Sequence, residues 1–262
     1  MATNWNNEVV LITGASSGIG LAIARELAAK GCRLVLLSRR MDRLDSLEAE
    51  LQQLGAQCFT IQCDVCDERQ VHEAVAAAVE RFGCIDVVFA NAGFGINGRF
   101  LTLTNEDYQR QLDTNLFGVM NTLRAAHPYL AQTRGRAVVI GSVNSHLSLN
   151  KSSAYAISKF AVRALVQSLW SEWRRDGISV TLICPGYVES EIHRVNNDGV
   201  FVPEATNAPP AWLTMPAATA AKKIANAVLK RRREVVITIH GKLAVGLVRH
   251  LPWLAHWILS RT

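Results

Sequence analysis

The chain has 262 residues, of which 49% are hydrophobic and 19% are charged, so it is neither an intrinsically disordered chain nor a fibrous one. Its 28 Lys and Arg residues exceed its 22 Asp and Glu residues, which gives a formal net charge of +6. From Lys222 onward nine basic residues stand against one acid, Glu234, a sum of +8, so residues 1–221 sum to −2. A positive field at one end only argues against a general nucleic-acid-binding protein.

Short apolar runs alternate with longer amphipathic stretches along most of the chain. The runs at residues 9–12, 34–37, 58–63, 85–89, 137–140, 179–183 and 235–239 predict strands. Helical periodicity predicts helices at residues 19–30, 43–54, 71–82, 105–130, 153–175 and 217–230. Continuously apolar strands separated by helices predict an α/β fold: a Rossmann-type doubly wound parallel sheet of about seven strands, with helices on both faces, in a single domain.

The N-terminal residues 1–8 are polar and lack the basic-then-apolar layout of a signal peptide, which predicts a cytoplasmic protein. Its six cysteines are then expected to be free thiols. Cys63 and Cys66 form a C-x-x-C pair, but no second pair lies at ligand spacing. We therefore favour buried side chains over a metal or redox site, and we predict no bound metal.

A glycine-rich turn follows the first predicted strand directly and leads into the first helix. It reads Thr13-Gly14-Ala15-Ser16-Ser17-Gly18-Ile19-Gly20. Glycines at such a turn allow positive φ and let backbone N–H groups approach a pyrophosphate at the positive end of the helix dipole. The turn predicts a dinucleotide site that uses Gly14, Ser16, Ser17, Gly18, Ile19 and Gly20.

The end of the second strand, where such folds contact the adenosine ribose, reads Ser38-Arg39-Arg40. An acidic residue there would accept hydrogen bonds from a free 2′-hydroxyl, whereas the planar fork of Arg39 suits a 2′-phosphate. NADP(H) is therefore favoured over NAD(H). The alternative is that both arginines are solvated charges at the start of the next helix.

Further candidate cofactor residues follow the third and fourth strands. Asp64-Val65 is placed to contact adenine, and Asn91-Ala92-Gly93 ends the fourth strand. The carboxyl ends of parallel strands lie along one edge of the sheet, where ligands of open α/β folds bind.

Tyr155 and Lys159 are four residues apart in a helical pattern, so their side chains share one face. A neighbouring ammonium favours the phenolate form of a tyrosine, whose ordinary pKa is about 10, so such a tyrosine can exchange a proton near neutral pH. Ser142, at the end of the fifth strand, is a hydroxyl able to reach the same carbonyl oxygen.

With Asn115 and Pro185-Gly186, these motifs resemble the short-chain dehydrogenase/reductase family over residues 8 to about 190. The resemblance implies that Tyr155 is the acid/base, that Ser142 polarises the carbonyl, and that Lys159 lowers the pKa of the tyrosine and binds the nicotinamide ribose. It also implies that Asn115 holds a water linking Lys159 to solvent.

The same resemblance assigns two residues to the carboxamide end of the cofactor. Val188 meets the carboxamide through its backbone, and Ser190 stands where the family commonly has Thr. Ala90 and Gly141 also depart from the common pattern, but neither change removes a catalytic group, so we expect an active enzyme.

The long segment 191–215 contains three prolines and predicts a lid over a lipophilic ligand, with an incidental surface loop as the alternative. Apolar residues of the lid and of the predicted active-site edge indicate a pocket for a steroid, retinoid or long-chain lipid carbonyl. They are Phe94, Ile96, Leu147, Leu149, Val200, Phe201, Trp212, Leu213 and Met215. His146 and His193 are candidates for added polarity.

The chain divides into a catalytic domain at residues 1–240 and a basic, apolar extension at 241–262. Arg249, His250 and Pro252 interrupt the extension, so a spanning helix is not expected. Trp253 and Trp257, four residues apart, fit a helix lying in a membrane interface. The equal alternative is a helix packed on its own pocket or on a partner subunit, and the resemblance implies a homodimer or homotetramer.

Three functions compete at this point. The first is an NADP(H)-dependent reductase of a lipophilic carbonyl. The second is a 3-oxoacyl-carrier-protein reductase, for which residues 231–233 would dock an acidic carrier. The third is a dinucleotide-sensing protein without turnover, against which Asn115, Ser142, Tyr155 and Lys159 argue.

Overall fold

The computed structural model describes residues 4–194, 196–197, 200, 202, 209–259 and 261. In this part of the chain, seven parallel strands form one sheet, in the spatial order β3-β2-β1-β4-β5-β6-β7. The strands are β1 (Val9–Thr13), β2 (Arg33–Ser38), β3 (Gln57–Gln62), β4 (Val87–Ala90), β5 (Arg136–Ile140), β6 (Ser179–Cys184) and β7 (Glu234–Val236). The predicted doubly wound parallel sheet is confirmed.

Helices cover both faces of the sheet and bury one apolar cluster on each. One face packs against α1 (Gly18–Ala28), α2 (Met41–Gln53) and α7 (Ala217–Leu229). The other packs against α3 (Glu68–Phe82), α5 (Gly118–Thr133) and α6 (Ser153–Glu172). The central strands β1, β4 and β5 are buried at every residue, which explains why nearly all of their residues are apolar.

The single helix predicted over residues 105–130 is wrong in one respect. The segment forms α4 (Asn105–Leu112), a π-helical turn at Asp113–Phe117, and then α5. Thr104 caps α4 with a reciprocal capping box that involves Asp107. Wider turns of this kind are frequent at functional sites, and this one contains the fully buried Asn115.

The C-terminal segment is helical and begins earlier than predicted. Strand β7 stops at Val236 because the chain turns at Thr238 into α8 (Ile239–His250), and Pro252 then begins α9 (Pro252–Leu259). Helix α8 packs on the turn after β5, and α9 packs on α8. As far as the described residues extend, the helices are too short or too polar to span a membrane.

The chain order of the strands reverses between β1 and β4, which are hydrogen-bonded neighbours in the sheet. Connections leave these two strands in opposite directions, which opens a crevice at their carboxyl ends. The predicted glycine turn follows β1 and Asn91 follows β4, so both lie at this crevice.

Candidate active site

A cleft of about 1080 Å³ lies above the carboxyl ends of the strands. Most of the predicted site residues line it: Gly14, Ser16, Ser17, Gly18, Ile19, Ser38, Arg39, Arg40, Asp64, Val65, Asn91, Ala92, Gly93, Ser142, Tyr155, Lys159, Pro185, Gly186, Val188 and Ser190. Gly20 and Asn115 are not part of its lining. These two residues lie behind the cleft lining and support it.

The glycine turn has the backbone conformation that its sequence predicts. Gly14 has φ of 66° and Gly18 has φ of 54°, a region that glycine occupies without strain. A Cβ atom at Gly20 would lie 2.4 Å from the carbonyl oxygen of Gly14, so only glycine fits there. The turn thus brings backbone and the N-terminus of α1 to the cleft, which fits the pyrophosphate of a dinucleotide.

Thr13 and Asn91 fix the turn against β4. The Thr13 hydroxyl accepts hydrogen bonds from the backbone N–H groups of Asn91 (3.0 Å) and Ala92 (3.1 Å). The amide nitrogen of Asn91 donates to the carbonyl oxygens of Thr13 (2.8 Å) and Gly14 (3.2 Å). The side chain of Asn91 is therefore engaged in holding the two strand ends together.

Arg40 binds the serines of the glycine turn. Its Nη2 donates to the hydroxyls of Ser16 (3.0 Å) and Ser17 (2.8 Å), and its Nη1 lies 3.1 Å from a carboxylate oxygen of Glu191. Ser38 also donates to Ser16 at 2.8 Å. Arg40, which we predict from the sequence as a cofactor residue together with Arg39, is thus a second guanidinium at this end of the cleft.

Arg39 also lines the cleft, but its side chain is 64% exposed. Its Nη1 lies 4.0 Å from the carboxylate of Asp64, at the end of β3. Strand β2 ends at Ser38, which is not an acidic residue. Arg39 and Arg40 follow it directly. This donor set fits a cofactor that carries a phosphate on the adenosine ribose.

Tyr155 and Ser142 meet at the other end of the cleft. Burial raises the pKa of the Tyr155 phenol above its ordinary value, and a hydrogen bond with Ser142 partly opposes that effect. The Ser142 oxygen accepts a hydrogen bond from the backbone N–H of Asn144 (3.1 Å), which orients the hydroxyl proton away from that turn. The pair presents two hydroxyl groups to one point.

Lys159 lies directly behind this pair. Its ammonium is 5.7 Å from the centre of the Tyr155 ring and donates a hydrogen bond of 2.9 Å to the carbonyl oxygen of Ile140. Burial lowers the pKa of Lys159 to about 8. From the sequence, we expect Lys159 to lower the pKa of Tyr155. In the structure the burial of the phenol is the larger effect, so the pKa of Tyr155 is raised.

The side chain of Asn115 connects α5 and α6 to the loop after β4. Its oxygen accepts from the backbone N–H of Phe94 (3.1 Å), and its nitrogen donates to the Phe94 carbonyl (3.0 Å) and the Ser158 hydroxyl (3.1 Å). Ser158 donates in turn to the carbonyl oxygen of Tyr155 at 2.7 Å. Asn115 therefore positions both the Tyr155 helix and the cleft wall.

Helix α8 of the C-terminal region supplies part of the cleft, in agreement with the alternative that this region packs on its own pocket, although its contact residues are not predicted from the sequence. His240 and Ala244 of α8 line the cleft beside Tyr187. The Nε2 of His240 accepts from the backbone N–H of Tyr187 at 3.1 Å, and the two rings stack with centres 5.6 Å apart. A Cβ atom at Gly241 would lie 2.7 Å from Val143, so α8 packs tightly beside the turn that contains Ser142. No short motif marks this contact, which depends on how a distant helix folds back.

The predicted apolar lid is corrected in part. Trp212 is 84% exposed and Val200 is exposed, and Leu213, Met215 and Ile96 are also absent from the cleft lining. Met215 instead pairs with Val188 in a β-bridge and packs on the core beneath it, and Ile96 is wholly buried. Phe94, Leu147 and Leu149 do line the cleft. Phe201 and the side chain of His193 lie outside the described residues.

His146 is buried behind the site and does not line the cleft. Burial and Arg163 lower its pKa to about 4, although Glu234 opposes this. The ring is therefore neutral near pH 7, and its 3.5 Å contact with Glu234 is not an ion pair. Glu234 instead pairs with Arg163 of α6 and Arg249 of α8, which ties the C-terminal helix to the Tyr155 helix.

All six cysteines are free thiols, with Cys63 buried and Cys66 exposed. Burial raises the pKa of Cys63 to about 11, so its thiol is protonated at neutral pH. Within the described ranges, His, Cys, Asp and Glu side chains form no group of three or more that could hold a metal ion.

Residues 8–200 match the family model described as short chain dehydrogenase. Among curated proteins, the chain is 32% identical over 275 residues to a "dehydrogenase/reductase SDR family protein 7-like" of Anopheles gambiae. The match covers 99% of this chain and 84% of that protein.

Two solved structures share the fold and were determined with bound dinucleotides. An alcohol dehydrogenase of the archaeon Thermococcus sibiricus, complexed with 5-hydroxy-NADP, has a TM-score of 0.78 at 32% identity and covers 89% of this chain and 97% of its own. A short-chain dehydrogenase/reductase of Burkholderia phymatum, in complex with NAD, has a TM-score of 0.85 at 27% identity and covers 96% of both chains. A nicotinamide dinucleotide therefore suits this fold, whether or not it carries the additional phosphate.

Proposed function

The chain belongs to the short-chain dehydrogenase/reductase family of oxidoreductases, and on that premise we propose that it uses NADP(H) to reduce the carbonyl group of a lipophilic substrate, or to oxidise the matching secondary alcohol. One observation carries the proposal. The hydrogen-bonded hydroxyls of Tyr155 and Ser142, with the buried Lys159 behind them, occupy one end of a cleft whose other end is the glycine turn.

When bound, the nicotinamide cofactor supplies or accepts the hydride at the carbonyl carbon. Tyr155 donates its phenol proton to the carbonyl oxygen during reduction, and its raised pKa keeps that proton in place at neutral pH. Ser142 holds the same oxygen through a second hydrogen bond. Lys159 stabilises the negative charge that proton donation leaves on Tyr155.

We assign Asn115 to the return of the proton from solvent. The carboxamide oxygen of Asn115 and the ammonium of Lys159 lie 2.9 and 3.8 Å from the position of a Cβ atom at Gly93, so both border the same backbone. Val188 and Ser190 are assigned to the carboxamide end of the cofactor. Both residues line the cleft, which supports this assignment.

NADP(H) is favoured over NAD(H) by the charges at the end of β2. Arg39 and Arg40 both line the cleft, and Ser38 stands where an acidic residue would repel a 2′-phosphate. Carbonyl reduction is the expected direction because the NADP(H) pool of a cell is mainly reduced. This inference about direction rests on the cofactor and not on a particular residue.

The cleft walls near Tyr155 support an apolar substrate with at least one polar group. Phe94, Leu147 and Leu149 form apolar parts of the lining, and Tyr187 and Ala244 lie on the side of α8. Polar side chains at the same end are Asn97, Asn144, Asn150 and His240. We therefore propose a steroid, retinoid or long-chain lipid carbonyl, held by its carbonyl at Tyr155 and by a second oxygen near these polar groups.

The C-terminal extension, residues 241–262, supports a contact with a membrane surface. Helix α8 contacts its own cleft, but the α9 residues Trp253 and Trp257 are 69% and 54% exposed, one turn apart. Arg261 lies 3.9 Å from the centre of the Trp257 ring. Because exposed indoles beside basic residues suit the headgroup region of anionic lipids, we propose that α9 rests on an anionic bilayer surface.

An acidic carrier protein is disfavoured as the partner of the basic run at residues 231–233. The Arg231 guanidinium donates to the carbonyl oxygens of Gly135 (3.0 Å) and Arg134 (2.8 Å), so it is engaged within the chain. Arg233 lies over the Trp170 ring at 5.9 Å. We therefore propose a lipophilic carbonyl compound as the substrate, rather than one linked to a carrier protein.

Exposed apolar residues on α6 and on the turn before α5 support a homodimer or homotetramer. The side chains of Phe117, Ile157 and Phe160 are 44%, 49% and 42% exposed. Large apolar side chains of this kind on neighbouring helices are typical of subunit interfaces.

The experiment that tests the proposal is a cofactor and substrate panel with the purified full chain. NADPH and NADH oxidation are measured with ketones and aldehydes graded by chain length and ring content. The proposal predicts a preference for NADPH and for long or polycyclic carbonyls. Equal rates with both cofactors would contradict the role of Arg39 and Arg40 in selecting NADP(H). A preference for small polar ketones would contradict a lipophilic substrate.

A further inference from the structure

An ion-pair cluster joins the substrate side of the cleft to its cofactor side. We call residues 188–194, which follow β6, the strap. The Glu191 carboxylate of the strap lies 2.6 Å from Nη1 of Arg43 and 3.1 Å from Nη1 of Arg40. The three side chains are between 29% and 35% exposed, so the cluster is only partly open to solvent.

The backbone of the strap is held in place on both sides of this cluster. At its start, Met215 N–H donates to the carbonyl oxygen of Tyr187 (3.0 Å), and Glu189 N–H donates to that of Met215 (3.0 Å). Further along, Ser190 packs against Gly18 of the glycine turn. The strap therefore crosses the glycine turn, and the Glu191 side chain contacts Arg40 and Arg43 from there.

Arg40 is shared between this carboxylate and the glycine turn. Its Nε and Nη2 donate to Ser16 and its Nη2 also donates to Ser17, while its Nη1 faces Glu191. In this fold class the adenosine ribose lies at the carboxyl end of β2, two residues before Arg40. A 2′-phosphate and the Glu191 carboxylate would thus be two anions that face one guanidinium.

We propose that Glu191 is a specificity-determining residue that competes with the 2′-phosphate of NADP(H) for Arg40 and Arg43, and that NADP(H) binding releases the strap from the α2 side of the cleft. The inference rests on the proposed function in one respect, the use of Arg40 for the 2′-phosphate. NAD(H) has a hydroxyl at this position and leaves the ion pairs in place. Glu191 therefore moderates the preference for NADP(H) and connects cofactor identity to the segment that borders the substrate.

The test is a fluorescence titration of the full chain with NADPH and with NADH, without substrate, for the wild type and Glu191→Gln. The glutamine keeps the shape of the side chain and removes its charge. We expect the Kd for NADPH to fall about fivefold and the Kd for NADH to change less than about twofold, a size typical of a partly exposed ion pair. The difference between the wild-type and Glu191→Gln Kd values for NADPH should become smaller as the salt concentration is raised, because ionic strength screens such pairs.

Asp45→Asn is the matched control. Asp45 is exposed on α2, two residues from Arg43, so this variant removes the same charge near the site without touching the cluster. We expect it to leave the ratio of the two Kd values within about twofold of the wild type. Melting curves check that both variants are folded.

The inference is overturned if Glu191→Gln leaves the Kd ratio unchanged, if it weakens NADPH binding, or if Asp45→Asn moves the ratio equally. The proposed function fails separately. A wild type that binds NADH more tightly than NADPH contradicts the proposed cofactor, whereas the change of the ratio in Glu191→Gln still decides the role of Glu191.

Discussion

The ammonium of Lys159 donates a hydrogen bond of 2.9 Å to the backbone carbonyl of Ile140, the last residue of β5. This bond joins the Tyr155 helix to the strand that ends just before Ser142. It also places a cation in a position that is only 5% exposed, where burial lowers the pKa of Lys159 to about 8. The side chain that we propose supports the chemistry is therefore expected to destabilise the fold while it is charged.

Replacing Lys159 with methionine should stabilise the protein while abolishing most of its activity. Below pH 8 the lysine is protonated in both the folded and unfolded states, so the folded state bears the full cost of burial. The difference between pKa values of 10.5 and about 8 corresponds to about 3 kcal/mol. Subtracting about 1 kcal/mol for the lost hydrogen bond, we expect Lys159→Met to raise the free energy of unfolding by about 2 kcal/mol at pH 7.

Urea denaturation at several pH values checks this prediction. Between pH 8 and 10.5 the unfolded state retains a proton that the folded state has lost, so the wild type gains stability and the advantage of Lys159→Met disappears. The control is Lys223→Met. Lys223 is exposed on α7 and also donates to a backbone carbonyl, that of Ile237, so a change below about 0.5 kcal/mol is expected. A Lys159→Met variant less stable than the wild type at pH 7 would contradict the account.

Carbonyl reduction should lose rate at alkaline pH. Tyr155 keeps its proton through neutral pH because burial raises its pKa, but the Lys159 ammonium is lost above about pH 8. Without that charge, the phenolate formed by proton donation is no longer stabilised. We expect kcat/KM for reduction to be level up to about pH 7 and to fall about tenfold per pH unit above pH 8. A rate that keeps rising to pH 10 would be inconsistent with this role for Lys159.

Arg39→Gln and Arg40→Gln should each weaken NADPH binding while sparing NADH. Each variant removes one guanidinium from the end of the cleft where the 2′-phosphate is expected, and a charge-assisted hydrogen bond to phosphate is worth about 1.5–3 kcal/mol. We expect the Kd for NADPH to rise at least about tenfold and that for NADH to change less than about threefold. Arg124→Gln, on the exposed side of α5, is the control. Parallel losses for both cofactors would indicate a structural effect on the glycine turn.

The order and type of the sheet elements could be predicted because strong local signals specify them. Strands such as Val9–Thr13 are apolar at nearly every residue, and the glycine turn needs the positive φ that Gly14 and Gly18 adopt. Tyr155 and Lys159 share a helix face by spacing alone. These features depend on a few neighbouring residues, and one sequence is sufficient to reveal them.

The remaining features depend on contacts between distant segments. Nothing near His240 in the sequence indicates that α8 folds back against Tyr187, and nothing near Glu191 indicates its pairing with Arg40, 151 residues away. The prediction that Trp212 lines the pocket is wrong for the same reason, since an indole side chain favours burial but the sequence does not show whether a partner surface is available. The direction of the pKa change at Tyr155 likewise required the burial of the phenol to be known.

Binding to anionic vesicles should depend on α9. We expect the full chain to sediment with vesicles containing phosphatidylserine and not with vesicles of phosphatidylcholine alone, because the extension offers both indoles and basic groups. Replacing Trp253 and Trp257 with serine should lower the bound fraction at least about fivefold. Leu54→Ser, which removes an apolar side chain that is 74% exposed on another face, should leave it unchanged. If the wild type stays in the supernatant with both vesicle types, α9 has no membrane role.

The central claim is that Tyr155 donates the proton in carbonyl reduction, and carbonyl-dependent NADPH oxidation by Tyr155→Phe tests it most directly. The substitution removes one hydroxyl and leaves the ring in place. We predict that kcat falls about 10²–10⁴-fold, with the Kd for NADPH within about twofold of the wild type. Tyr129→Phe, the same change on α5 away from the cleft, should retain full activity. A Tyr155→Phe variant that reduces carbonyls at the wild-type rate would contradict the claim.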